Sequence, residues 1–156
     1  MLRRDKLKAV PAEPAADDRY VLDNQIGFLL RVAMQNHTAI FTSQMMEGLT
    51  QTQFASLAKL YEVGPCSQNH LGRLIYLDAA TIKGVVDRLN ARGLVTATSD
   101  PHDKRRRAVT LTDEGRRVTE AAIKVASNIT ADTLMPLTED ERRTIARMLR
   151  KLGPSA

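Results

Sequence analysis

The chain has no tryptophan and only three tyrosines and three phenylalanines in 156 residues. So thin an aromatic supply, beside abundant Leu, Ala, Val and Arg, suits helices packed by aliphatic side chains better than a β-sandwich. One cysteine, Cys66, excludes an internal disulfide and agrees with a reducing compartment, the cytoplasm. No apolar run approaches the length of a membrane span. The opening MLRRDKLKAVPAEPAADDRY lacks the apolar core of a secretory leader. The expectation is a cytoplasmic protein with no membrane partner. The three histidines, His37, His70 and His102, are scattered and bring no metal-ligand spacing. Phosphate-loop, HExxH and GxSxG patterns are missing as well. Neither catalysis nor a metal or cofactor is expected.

What is present is positive charge. Lys and Arg number 23 against 18 acids, a formal net charge of +5. That balance favours an acidic partner such as nucleic acid. Apolar residues make up 43%, enough for one domain with a core of its own.

Residues 1–18 mix Lys, Arg, Pro, Ala and Asp without period and read as a flexible basic arm. From Asp18 the pattern turns helical. Leu22, Ile26, Leu29, Leu30, Ala33, Ile40 and Phe41 recur at three- and four-residue steps, which predicts one long helix to Glu47, stopped by Gly48. Thr50-Gln51-Thr52-Gln53 is a capping box opening a second helix with Phe54, Leu57, Ala58 and Tyr61 on its apolar side. Gly64-Pro65 breaks it. Ser67 caps a short third helix carrying Leu71, Leu74 and Ile75, and Asp78 caps a fourth that buries Ile82, Val85, Val86 and Leu89. Thr81, Lys83, Gly84, Asp87 and Arg88 fall on the fourth helix's outer face. Two β-prone runs, residues 94–98 and 108–111, flank a charged loop and read as a hairpin. Thr112 then caps a fifth helix running to Leu134, and Thr138-Glu139-Asp140-Glu141 is a second capping box before a sixth, with Ile145, Met148, Leu149 and Leu152 in its stripe.

Third and fourth helices in succession make a helix-turn-helix, and the loop that follows holds Lys104, Arg105, Arg106 and Arg107 in a row. A polar helix face with small residues can enter the major groove of double-stranded DNA. Arginines on a hairpin tip can lie over phosphates or reach into the minor groove.

The stretch from Gly93-Leu94-Val95 through Asp100-Pro101-His102-Asp103-Lys104-Arg105 to Leu111-Thr112-Asp113-Glu114-Gly115 resembles the wing signature of MarR-family transcriptional regulators, GLV, DPxDxR and LTxxG at this spacing. Leu49-Thr50-Gln51-Thr52-Gln53-Phe54 resembles the same family's entry to its second helix. The resemblance covers about residues 22–152. It implies a mostly α fold with a small β-hairpin wing, a winged helix-turn-helix in a dimeric arrangement. It implies dimerisation helices at 19–48 and 113–156 and a DNA-binding domain at 49–112. It also implies a homodimer that binds a palindromic operator, as a repressor released by small ligands. By that resemblance Asp103 orients Arg105, which enters the minor groove. Ala80, Thr81, Lys83 and Gly84 face bases, Arg88 meets phosphate, and Arg106 and Arg107 enrich the wing beyond what the motif requires. Gly84 departs from the larger polar residue usual there.

The family's effector site lies between dimerisation helices and winged domain, which here means the first, second and fifth helices. Phe28, Met34, Phe41, Met45 and Tyr61 offer apolar walls, and Arg31 and His37 offer polar groups. Each has an alternative reading as core packing, and His37, on the apolar stripe, either meets a ligand carboxylate or bonds protein. Asp23-Asn24-Gln25-Ile26-Gly27-Phe28-Leu29-Leu30-Arg31 further resembles the NicR-like subgroup that controls nicotinate degradation, which implies a small aromatic carboxylate such as 6-hydroxynicotinate as effector. The rival readings are an architectural DNA binder, a redox-responsive one using Cys66, and a protein-interaction module.

Overall fold

The computed structural model describes residues 19–99, 102, 103 and 105–154. The basic arm expected at 1–18 lies outside the described residues, as do Asp100, Pro101 and Lys104 of the wing motif. In chain order the α-helices are α1 (Ile26–Gln44), α2 (Gln51–Val63), α3 (Gln68–Leu74), α4 (Ala79–Ala91), α5 (Asp113–Thr133) and α6 (Glu139–Leu152). Strands β1 (Val95–Ser99) and β2 (Arg107–Leu111) stand between α4 and α5. The chain divides into two compact units inside α1, between Met34 and Gln35.

The first helix is shorter than its apolar spacing predicts. Gln25 is extended, with φ −83 and ψ 129, behind a single 3-10 turn at Leu22–Asn24. At the other end Met45 is extended and Glu47 takes φ +57, so α1 stops at Gln44 and a second 3-10 turn, Met46–Gly48, carries the chain to α2. Apolar residues continue in step on both sides, but the backbone does not.

The second unit holds the core. Leu57 and Leu60 of α2, Leu71 of α3, Ile82, Val85 and Leu89 of α4, and Val118, Ala122 and Ile129 of α5 pack with Leu94, Val95 and Val109 of the hairpin. From α2 to α6 each helix start has a local cause. Thr50 Oγ1 accepts the Gln53 N–H at 3.2 Å while Gln53 Oε1 accepts the Thr50 N–H at 3.1 Å, the reciprocal box that begins α2. Thr138 and Glu141 repeat it at α6. Ser67 Oγ accepts the His70 N–H at 3.2 Å to open α3.

The helix-turn-helix closes tightly. An added Cβ at Gly72 would stand 3.0 Å from Ile82 Cγ2 and 3.1 Å from the Leu77 carbonyl oxygen, so a glycine lets α3 approach α4. Between the helices Tyr76 takes φ +59, and the Leu77 N–H donates to the Gly72 carbonyl at 2.9 Å.

The hairpin is antiparallel, with Val95 opposite Leu111 and Ser99 opposite Arg107. Cys66 adds a one-residue third strand. Its N–H donates to the Val109 carbonyl at 3.2 Å and its carbonyl accepts the Val109 N–H at 2.8 Å. The winged sheet is thereby tied to the entrance of α3. Among the described residues no helix is long and apolar enough to cross a membrane.

Candidate nucleic-acid interface

The outer face of α4 begins at its cap. Asp78 Oδ1 accepts the Thr81 N–H at 2.7 Å, and Asp78 Oδ2 accepts the Thr81 hydroxyl at 3.0 Å. These bonds, the backbone one foremost, hold the Asp78 carboxyl below the usual carboxylate range, so it is charged at neutral pH. Its charge suits the positive end of the helix. With Ile82, Val85 and Leu89 buried, Ala80, Thr81, Lys83 and Arg88 are exposed and Gly84 is half-buried. Lys83 Nζ lies 2.6 Å from Asp87 Oδ2, one turn on. The Arg88 guanidinium folds back over Gly84, where a Cβ would be 3.6 Å from each of its terminal nitrogens.

At the wing tip Asp103 makes a turn. Its Oδ1 accepts the Arg105 N–H at 3.0 Å, and its carbonyl accepts the Arg106 N–H at 2.9 Å. A short acid bonding the backbone two residues ahead is the usual chemistry of such turns. The turn engages Asp103 differently from the reading by resemblance. The carboxylate holds Arg105 by its main chain, and the guanidinium beside it belongs to Arg106, with Nε 3.6 Å from Oδ2. Arg105, Arg106 and Arg107 are all exposed, and Arg107 opens β2 opposite Ser99.

These arginines border open space. With Ala97, Thr98 and Ser99 they line a cavity of about 380 Å³. Arg106 and Arg107 also line a cavity of about 540 Å³ with Ser67, Gln68 and Asn69 at the α3 entrance and Arg73 in its last turn. Asp87 and Asn90 of α4 share a third, about 250 Å³, with Thr96, Ala97 and Arg107. The sequence reading missed Asn69 and Arg73. The available signal was the polar, basic composition of the short α3, which reads equally as a solvated surface. Such a surface can hold phosphates by charge-assisted bonds and offer a helix face to base edges.

The effector candidates fall into separate settings. Phe41 and Met45 are buried in the core, Phe41 with its ring centroid 6.3 Å from that of Phe54. Both border an open cavity of about 440 Å³ whose other walls include Thr38, Thr42, Leu49 and Gln51. Half-buried His37 has Nδ1 2.8 Å from Thr133 Oγ1 of α5, which matches the protein-bonded alternative. Tyr61 donates its hydroxyl to Glu120 at 3.1 Å and lies under the Arg116 guanidinium. Within the first unit Arg31 stacks 5.2 Å from the Phe28 ring centroid, and Met34 is exposed. Cys66 is half-buried and borders a cavity with His70, His102, Arg73 and Arg106.

The MarR family pattern matches residues 49–106. The transcriptional repressor NicR of Pseudomonas putida is 40% identical over 147 residues, 93% of each chain. A probable transcriptional regulator from Pseudomonas aeruginosa is 48% identical, with TM-score 0.82 over 85% of this chain and all of that one. BpsR of Bordetella bronchiseptica, whose DNA binding is regulated by 6-hydroxynicotinic acid, is 38% identical with TM-score 0.82 over 88% of this chain and 99% of its own. Six helices, a two-stranded wing and these likenesses have one reading: the chain is a transcriptional regulator of the MarR family, of the NicR-like kind.

Proposed function

We propose that the chain is a cytoplasmic homodimeric repressor that grips a palindromic operator with α4 and the wing and lets go when a small aromatic carboxylate binds. The observation that carries the DNA reading is the gathering of Arg106 and Arg107 of the wing with Arg73, Ser67 and Asn69 of α3 around one open basic cavity. Phosphate contacts there supply affinity and register, and the outer face of α4 supplies sequence choice. Residues 49–112 form the DNA-binding domain in this reading. Residues 19–48 and 113–156 dimerise, so that two-fold protein symmetry meets two-fold operator symmetry.

Likeness to NicR and BpsR supports an effector of the 6-hydroxynicotinate type. The cavity beside Phe41 and Met45, with Thr38, Thr42 and Gln51 on its walls, is large enough for a single aromatic ring.

Fluorescence anisotropy on the DNA upstream of the protein's own gene, against scrambled DNA of equal length at physiological salt, tests both halves. Tight binding to the first alone, released by 6-hydroxynicotinate and not by benzoate, is the expected outcome. Equal weak binding to both leaves only the phosphate term and makes the protein an architectural binder. Selective binding indifferent to 6-hydroxynicotinate overturns the effector class alone.

A further inference from the structure

We propose that Arg88 is a base-reading residue, aimed by the absence of a side chain at Gly84, and that it selects a guanine in each operator half-site. The inference rests on the reading of α4 as the helix that enters the major groove.

Residues 81, 84 and 88 share one helix face at three- and four-residue steps. Helical side chains lean toward the N-terminus, so a long side chain at 88 covers the turn below it. Here that turn is bare. A Cβ at 84 would stand 3.6 Å from both terminal nitrogens of Arg88 and 3.9 Å from its Cζ, ordinary van der Waals distances. The guanidinium therefore lies over Gly84, about one turn nearer the groove-entering end than its own Cα, with space between for no more than a methyl group. A longer side chain at 84 would fill that space and send Arg88 outward to the phosphates.

Two further observations set its chemistry. Asp87, the acid next to Arg88, is held by Lys83 at 2.6 Å, and Arg88 has no acid partner among the described residues. Its five N–H donors are open. Thr81, on the same face, commits its hydroxyl proton to Asp78 Oδ2 at 3.0 Å. It therefore offers a base only lone pairs and a methyl group. The donor on this face is Arg88, and two parallel guanidinium N–H groups match guanine O6 and N7 in the major groove. Thr81 in turn suits a base edge with an amino donor or a methyl.

The test is selection from a randomised duplex pool by the wild-type protein and by Arg88→Ala and Gly84→Gln, each first checked for an unchanged melting temperature. Wild type is expected to enrich one guanine per half-site, with a penalty of about tenfold or more for replacing it. In Arg88→Ala that penalty falls to near one while the other positions keep theirs. Gly84→Gln, which retains Arg88 but displaces it, loses the same preference. If Arg88→Ala instead weakens all sequences alike and makes log K against log salt shallower by about one per phosphate, Arg88 is a phosphate contact and the proposal fails. A wild-type protein that enriches no sequence overturns the reading of α4 itself, a result distinct from a selective protein whose guanine preference survives Arg88→Ala.

Discussion

Gly115 leaves no room for any side chain. A Cβ there would fall 1.8 Å from the Leu94 carbonyl oxygen and 2.8 Å from its carbonyl carbon, both backbone atoms. The contact closes a knot at the base of the wing. The Gly115 N–H donates to Thr112 Oγ1 at 2.9 Å, that hydroxyl donates to the Gly93 carbonyl at 2.6 Å, and the Thr112 N–H donates to the Leu94 carbonyl at 3.1 Å. A methyl group must push apart the start of α5 and the entrance to β1, where Val118 and Leu94 are core residues. Alanine's helix propensity favours the substitution by about 1 kcal/mol, but overpacking against rigid backbone costs about 1–3 kcal/mol, and this overlap is extreme. Gly115→Ala is expected to destabilise the fold by about 2 kcal/mol or more. Urea unfolding beside Gly84→Ala, whose new Cβ meets only ordinary contacts, checks this. A Gly115→Ala midpoint equal to that of Gly84→Ala would show that the junction has slack.

Among the elements, the wing depends most on a local turn. Asp103 holds the backbone of Arg105 and the guanidinium of Arg106, so one carboxylate shapes the path of both. Arg105 has no acid partner among the described residues. Arg105→Ala is expected to lower operator affinity about tenfold or more and to make log K against log salt shallower by about 0.9 for each phosphate that is no longer neutralised. Asp103→Ala, which frees the turn without removing a cation, should lose affinity while leaving that slope unchanged. Titration at three salt concentrations separates the two, and equal slopes for wild type and Arg105→Ala would remove Arg105 from the phosphate contacts. Where an element is written in side chains that act on their own backbone, it was legible: Thr50, Ser67, Asp78, Thr112 and Thr138 all cap where the sequence places them. Features that depend on distant chain were not. The apolar period runs through Gln25 and Met45, where the helix does not follow. Cys66 pairs with Val109 as a one-residue strand, too short for any alternation to announce. Phe41 and Met45 read alike as core and as pocket wall, because an apolar stripe does not say what stands opposite it. The fold of Arg88 over Gly84 is a rotamer, which no spacing rule states.

For the whole molecule the unanswered demand is cover. No residue of α6 is buried, although Ile145, Met148, Leu149 and Leu152 form an apolar stripe, and Leu152 is 65% exposed. Ile26, Leu29 and Leu30 of α1 are exposed in the same way. Each such side chain, once covered, contributes about 1.5–3 kcal/mol. A second copy of the chain is the partner that would cover the α6 stripe, since a two-fold axis presents a patch to its own duplicate. Leu149 takes no part in the core cluster, so Leu149→Asp spares the fold of one protomer and places two charges in the shared surface. The dissociation constant of the dimer is expected to rise at least about a hundredfold, or about 2.7 kcal/mol. Light scattering at micromolar concentration should then report a monomer near 17.3 kDa where wild type reports twice that. Operator affinity should fall with it, because each half-site must then be won without the linked second one, while weak salt-sensitive binding to any duplex persists. A Leu149→Asp protein that stays dimeric would place the interface elsewhere. One that turns monomeric yet binds its operator unchanged would mean that a single winged domain suffices, and the palindrome would lose its physical reason.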